Sequence, residues 1–327
     1  MVAFLEGGHV DVVDLGEIGQ VTLIHGGAGP EDPKDGATGE AVAALDRVIQ
    51  GMGLPENPDQ MVRGLKARDT ALAPVERRAL AAAMLLENEP CFNAGYGAAL
   101  QEDGQARVSA AFMESRRRTF SAVMNVRDVR HPAYLAAYLQ QERFPVLDTH
   151  GAENLAWRLG MARESLVVPH RFERWLALRD ASLKGPHRAD GKGTVGCVGF
   201  AAPGRLAAVT STGGVGNETV GRVGDTPTVA GNFCTERTAV SCTGYGEHIL
   251  NQGFAVQLAT RCDDGGDLIA GMRRGLKEAE QRGFGLAAIA LHWDQRGRVT
   301  WCAGSTESFF IWALHTPACR RLFSEYL

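Results

Sequence analysis

One abrupt change along the chain constrains its fold more than any other feature. Residues 183–193 read Leu-Lys-Gly-Pro-His-Arg-Ala-Asp-Gly-Lys-Gly, polar and full of breakers, so an exposed linker is expected there. At Thr194 the sequence turns into Thr-Val-Gly-Cys-Val-Gly-Phe, which is small, apolar and β-like. Beyond it, 206–211 and 239–243 read as further strands. Helical patterns follow near 247–261 and 267–282. Two final strands, 286–293 and 298–303, flank the turn at 294–297.

Before the break, residues 1–20 read as an added strand or arm. Val21-Thr22-Leu23-Ile24 is a short strand that ends in the glycine-rich turn 25–30. Val42, Leu45 and Ile49 recur at helical spacing, and 53–70 reads as a loop insertion. A helix opens at Pro74 and runs through Glu87, with Ala79, Ala83 and Leu86 on one face. Residues 89–97 are irregular. Strands are expected at 106–113 and 121–126, and helices at 132–144, 152–161 and 170–184. This order is not a regular βαβα alternation. It suggests two sheets covered by helix layers, an α+β arrangement.

Composition narrows the function. Thirty-four Lys and Arg stand against 38 Asp and Glu, a net charge of -4, which argues against a nucleic-acid footprint or a polybasic membrane surface. No apolar run approaches the roughly 20 residues of a membrane span. Nor does the N-terminus resemble a secretory signal: no Lys or Arg precedes Lys34, and Glu6, Asp11 and Asp14 interrupt any apolar stretch. Seven cysteines without a CxxC pair are expected to be reduced thiols in a cytoplasmic protein. Forty glycines in 327 residues, about 12%, exceed the roughly 7% of average usage, and they are clustered.

Several chemistries are excluded by their missing motifs. The hexapeptide 191–196 matches G-x-G-x-x-G, but a polar linker precedes it and a β-run follows, the reverse of what a dinucleotide site needs. A P-loop is approached and missed at 185–192, where five residues separate the glycines and Gly193 follows the lysine. G-x-S-x-G is absent, and the nine histidines are scattered with no H-E-x-x-H.

What remains is an excess of threonine and glycine: Thr194, Thr210-Ser211-Thr212-Gly213-Gly214, Gly221-Arg222-Val223-Gly224-Asp225 and Ser241-Cys242-Thr243-Gly244. A threonine hydroxyl is a weak nucleophile that needs a base, and a free α-amine on the same residue is one solution. An α-amine with a reference pKa of about 7.7–8.0 is partly unprotonated near neutrality. For Thr194 this chemistry demands cleavage of the Gly193–Thr194 bond. Gly193 offers no side chain to block attack on its carbonyl. The alternative is that Thr194 simply opens a strand, as β-branched residues do. Spacing alone leaves both readings open.

Six motifs in order move the balance. Ile24-His25-Gly26-Gly27-Ala28-Gly29, Phe92-Asn93-Ala94-Gly95-Tyr96-Gly97, Gly193-Thr194-Val195-Gly196, Thr210-Ser211-Thr212-Gly213-Gly214, Gly221-Arg222-Val223-Gly224-Asp225-Thr226-Pro227 and Ser241-Cys242-Thr243-Gly244 all occur. The set resembles the plant-type asparaginase / isoaspartyl peptidase family of N-terminal nucleophile hydrolases, relatives of the aspartylglucosaminidases. The resemblance covers roughly residues 20–315.

The resemblance implies one domain over 1–327, a four-layer αββα sandwich made as a precursor. Self-cleavage would leave an α subunit, 1–193, and a β subunit, 194–327. Thr194 would be the nucleophile with its own α-amine as base, and Thr212 would hydrogen-bond near it. Thr243 and the Gly244 N–H would form the oxyanion hole. Arg222 would clamp the substrate α-carboxylate and Asp225 its α-ammonium, beside Thr243, Gly244 and Gly246. Asn93 would orient the nucleophile region. Main-chain carbonyls of Leu86, Glu87, Glu89, Phe92, Ala94 and Tyr96 would hold a structural sodium ion, and no other cofactor is expected. The implied substrates are small β-aspartyl amides: L-asparagine and isoaspartyl dipeptides. The implied assembly is a homodimer of αβ units, with neither nucleic acid nor membrane as partner. An amide such as a glycosylasparagine, or a nucleotide- or ligand-binding role without catalysis, are the alternatives. Three departures bear on specificity: Ser109 where the family has aspartate, Ser305 where it has asparagine, and bulky Tyr245 between Gly244 and Gly246.

Overall fold

The computed structural model describes residues 2–11, 19–29, 37–51, 58–64, 72–182, 193–294, 296–316 and 319–323. The expected linker, Gly193 excepted, and most of the insertion at 53–70 lie outside these residues. So does the start of the match at 191–196.

In chain order, β1 (Phe4–Asp11) and β2 (Gln20–Gly29) precede α1 (Ala37–Gly51), the single turn α2 (Pro58–Met61) and α3 (Pro74–Asn88). Then come β3 (Val108–Glu114), β4 (Ser121–Val126), α4 (Pro132–Tyr138), β5 (Val146–Leu147), α5 (Thr149–Leu159) and α6 (Pro169–Ser182). The second half holds β6 (Val195–Ala201), β7 (Arg205–Thr212), β8 (Asn232–Cys234) and β9 (Thr238–Gly244). After these come α7 (Gly246–Gln252), α8 (Phe254–Asp263), α9 (Leu268–Gln281), β10 (Leu286–Asp294), β11 (Arg298–Ser305), β12 (Phe309–His315) and β13 (Arg320–Phe323).

Two sheets result, with strand orders β1-β11-β10-β9-β8 and β13-β12-β2-β6-β7-β3-β4-β5. Side-chain alternation explains how each is buried on both faces. On β6, Val195 and Cys197 join the core under α3 and α4, whereas Val198 and Phe200 join a second core with Ile289, Leu291 and Trp301 of the other sheet. A third core packs Leu258, Met272 and Leu276 of α8 and α9 onto Val240, Leu286 and Ala288. Each large apolar side chain so buried contributes about 1.5–3 kcal/mol before entropy is counted. No helix among the described residues is long and apolar enough to cross a membrane.

The expected α+β order is present, with four corrections. β2 does not stop at Ile24; it continues through His25-Gly26-Gly27-Ala28-Gly29, paired with β12. The glycines are there for clearance. A Cβ on Gly26 would lie 2.5 Å from the Phe92 ring, and one on Gly27 would lie 2.6 Å from the Gly193 Cα. The helix expected over 247–261 is two helices. Gly253 adopts φ +61°, ends α7 through its N–H to the Ile249 and Leu250 carbonyls, and starts α8. The helix expected to reach 144 ends earlier, α4 tightening to a 3-10 turn at Leu139–Gln141. The final strand pair is in fact four strands: β12 and β13 follow and extend the larger sheet, while short β5 and β8 close an edge of each.

Candidate active site

Thr194 stands one residue before β6, beside the last residue of β7. Val195 pairs with Ser211 across the β6–β7 ladder, which brings the Thr194 and Thr212 hydroxyls to 3.0 Å. Thr212 Oγ1 also accepts from the Gly214 N–H at 3.2 Å. Gly193 is buried with φ +122°, a conformation that disfavours any residue with a side chain. A Cβ there would lie 2.5 Å from the Asn93 Cβ. The Asn93 N–H donates to the Gly193 carbonyl at 3.1 Å. Its side chain is fully engaged: Nδ2 donates to the Gly214 carbonyl at 2.7 Å, and Oδ1 accepts from the Ala99 N–H at 2.8 Å. Asn93 thus fixes both the peptide before Thr194 and the turn after Thr212.

The smaller sheet meets this point through β9. Ser241 Oγ lies 3.0 Å from His25 Nε2 and 2.7 Å from Thr210 Oγ1, and Thr210 donates to Asn232 Oδ1 at 2.9 Å. Gly196 must be a glycine, because a Cβ there would collide with Ser241 Oγ and the His25 ring. Thr194, Thr212 and Thr243 each lie two residues along the chain from this crossing, counted from Gly196, Thr210 and Ser241. His25 has its pKa lowered to about 3 by burial, against a backbone hydrogen bond at Thr194 that raises it. It is neutral at physiological pH.

The loop leaving β7 and the turn leaving β9 meet at Gly246. A Cβ on Gly246 would lie 2.7 Å from Arg222 Nη2 and 2.9 Å from Asp225 Oδ1. An arginine and an aspartate therefore face one small space kept open by a glycine. Arg222 is largely buried, its side chain 14% exposed. Burial opposes its charge, but bonds to Glu247 and the nearby Glu218 and Asp225 outweigh burial and raise its pKa. Asp225 is buried, with Oδ2 lacking any hydrogen-bond partner among the described residues. Burial raises its carboxyl pKa to about 7, with Arg222 pulling the other way and Glu247 adding to the rise. Thr243 Oγ1 is likewise buried and unpartnered, and Gly244 has φ +133°.

Reading the residues singly missed three supports of this loop. Gln101 Oε1 accepts from the Gly221 N–H at 3.3 Å and from Arg107 Nη1 at 2.9 Å. Asn125, at φ +53°, donates from Nδ2 to the Arg222 carbonyl at 3.1 Å. Glu247 takes two bonds from the Arg222 side chain. None belongs to a motif, and no local signal marks them. The departures at Ser109 and Ser305 serve backbone: Ser109 Oγ accepts from the Asn125 N–H, and Ser305 Oγ accepts from the Glu307 N–H. Tyr245 is 39% exposed and packs on His248, which stacks on Phe284 with ring centroids 4.5 Å apart.

Residues 86–97, where the resemblance puts sodium-binding carbonyls, form the end of α3 and a tight turn. A Cβ on Gly95 would lie 2.5 Å from the Glu87 carbonyl oxygen, and one on Gly97 would lie 2.6 Å from that of Phe92. The carbonyls of Leu86, Glu87 and Glu89 accept from the N–H groups of Glu89, Tyr96 and Phe92 at 3.2, 2.8 and 3.2 Å. Among the described residues no group of three His, Cys, Asp or Glu could hold a metal ion. The Glu87 side chain is wholly buried and holds neighbouring elements, accepting from Ser211 Oγ at 2.6 Å and the Ala133 N–H at 3.0 Å, with His131 Nδ1 at 3.1 Å.

Comparison with known proteins gives the class. The chain belongs to the asparaginase family, whose model matches residues 18–319, and is a hydrolase. A relative from Synechocystis sp. named isoaspartyl peptidase/L-asparaginase is 35% identical over 304 residues, 90% of this chain and 87% of its own. Another of that name from Nostoc sp. is 35% identical over 305 residues, 90% and 91%. The isoaspartyl peptidase of Salmonella typhimurium is 38% identical over 261 residues, 75% and 80%.

Proposed function

We propose that the chain is a self-processing amidohydrolase for β-aspartyl amides, L-asparagine and isoaspartyl dipeptides, with Thr194 as its N-terminal nucleophile. The observation that carries the substrate class is the space at Gly246 between Arg222 and Asp225. A guanidinium and a carboxylate there match the α-carboxylate and α-ammonium of an aspartyl head. The layering supports an αββα sandwich of the N-terminal nucleophile type, one domain cut into 1–193 and 194–327.

In the uncut chain, Thr194 Oγ1 attacks the Gly193 carbonyl carbon and the acyl group shifts from nitrogen to oxygen. The Asn93 N–H, 3.1 Å from the Gly193 oxygen, stabilises the charge that forms there. The C–N bond breaks as the Oγ1 proton passes to nitrogen, which frees the Thr194 amine; water then cleaves the ester, releasing the Gly193 carboxylate and restoring the hydroxyl. In turnover this amine takes the Oγ1 proton as the hydroxyl attacks the substrate's side-chain amide. Thr243 Oγ1 and the Gly244 N–H receive the oxyanion, and Thr212 holds the hydroxyl. The C–N bond breaks as the leaving amine takes the proton. Water then releases aspartate from the acyl-enzyme. A sodium ion on the carbonyls of Leu86, Glu87, Glu89, Phe92, Ala94 and Tyr96 would stiffen the loop that carries Asn93. The same family logic carries a homodimer of αβ units.

Intact mass spectrometry of the purified protein, with a panel of β-aspartyl dipeptides, L-asparagine and glycosylasparagine, tests the proposal. Two fragments that meet at Gly193/Thr194 and release of aspartate are expected. A whole chain that turns over, or hydrolysis restricted to glycosylasparagine, would overturn it.

Asp225 gives a pH prediction. Only its ionised form pairs with an α-ammonium, and its pKa is raised to about 7. As pH falls below 7 the carboxyl is protonated, so the dissociation constant of L-aspartate should rise about tenfold per pH unit. Calorimetry between pH 5 and 8 reads this directly, and Asp225→Asn should bind weakly with a flat profile over the acid range.

A further inference from the structure

Arg222 offers a guanidinium with two usable edges, which share Nη2, the atom beside the Gly246 space. On the Nε/Nη2 edge, Nε donates to Glu247 Oε1 at 2.8 Å and Nη2 to Oε2 at 2.9 Å. On the other edge, Nη2 borders Gly246, and Nη1 lies 2.8 Å from where a Cβ on Gly224 would sit. A planar fork can hold one carboxylate side-on and a second end-on without moving. Glu247 is the second residue of α7, next to Gly246, so its bond also ties the loop from β7 to the chain that leaves Thr243 and Gly244 at the end of β9. The Glu247 side chain is 48% exposed, and it is not needed to fill the core.

We infer that Glu247 is the positioning residue of the aspartyl-head pocket. It takes the side edge of Arg222, fixes the plane of the guanidinium, and leaves the end edge for the substrate α-carboxylate. The inference rests on the β-aspartyl reading of the site and adds to it a residue that acts only through Arg222. Without Glu247 the long arginine side chain samples other rotamers, and its orientation must be restored on each binding event.

Glu247→Gln is nearly isosteric and half exposed, so the variant should fold and still appear as two fragments by intact mass. The wild-type and variant enzymes are compared on L-asparagine, with L-aspartate and β-alanine as competitive inhibitors. β-Alanine is the same head without its α-carboxylate. KM for L-asparagine and Ki for L-aspartate should each rise about tenfold, equivalent to 1.4 kcal/mol, while kcat stays within about twofold. Ki for β-alanine should not change. In an Arg222→Ala background, Glu247→Gln should add nothing to the Ki for L-aspartate, since the two residues act in series. An equal loss for both inhibitors, a full additional loss on top of Arg222→Ala, or a fall in kcat at constant KM would each overturn the inference. If the wild-type enzyme hydrolyses no β-aspartyl amide, the β-aspartyl reading and the inference fall together. If it does and Glu247→Gln matches it, the inference alone fails.

Discussion

Thr194→Ala is expected to leave the polypeptide as one uncut chain of 327 residues with no measurable turnover. Two reactions disappear together because one oxygen serves both. In the proposed mechanism the hydroxyl 3.0 Å from Thr212 Oγ1 attacks the Gly193 carbonyl, and after cleavage the same atom attacks substrate. Loss of a nucleophile lowers kcat on the order of 10⁶-fold in a well-studied hydrolase, and here the base is lost as well, since the α-amine never becomes free. The fold should survive, because Thr194 stands outside β6 and the deleted atoms make one mapped side-chain bond. Thermal unfolding would check that point. Thr194→Ser keeps the oxygen and should still cut itself. A Thr194→Ala protein recovered as two fragments meeting at residue 194 would remove the basis of the mechanism.

The candidate site is legible in the sequence as far as it is because its residues stand in short runs. The six motifs place Asn93, Gly193, Thr194, Thr212, Arg222, Asp225, Thr243 and Gly244, and the structure brings their segments to one end of the two sheets. The runs are short because strand ends and tight turns supply the groups, so neighbours in sequence remain neighbours in space. Where side chains reach across the fold, local pattern says nothing. Glu247 meets Arg222 over a separation of 25 residues, and Gln101 meets Gly221 over 120. Neither pairing is implied by spacing.

The fold was misread where glycine had a tertiary purpose. His25-Gly26-Gly27-Ala28-Gly29 looks like a turn because glycine commonly makes turns. It is strand because the Phe92 ring and the Gly193 backbone occupy the places of the missing side chains. Gly253 is the opposite case, a helix interior by pattern and a helix end by its φ of +61°. β12 is a run of apolar residues, Phe309 to Leu314, that a strand reading could have found. Its pairing with β2, 280 residues away in sequence at Phe309 and Gly29, could not.

The second large effect should come from filling the space at Gly246. Gly246→Val places a Cβ and two methyl groups between Arg222 and Asp225, where the Cβ alone would lie 2.7 Å from Nη2 and 2.9 Å from Oδ1. The arginine tip could swing away from an alanine if it were free. It is not, because Glu247 holds Nε and Nη2. Asp225 is buried and cannot retreat without breaking its surroundings. The substituent therefore occupies the volume meant for the substrate head, and kcat/KM for β-aspartyl dipeptides should fall at least about 10²-fold, the scale of a misplaced substrate. Gly246 does not have positive φ, so the backbone tolerates the change and the loss is steric. The proposed self-cleavage uses Thr194, Gly193 and Asn93 but no aspartyl head, so intact mass should still give two fragments. Unchanged kcat/KM in this variant would mean that the head binds elsewhere, whereas loss of processing along with activity would mean that Gly246 supports the fold rather than the pocket.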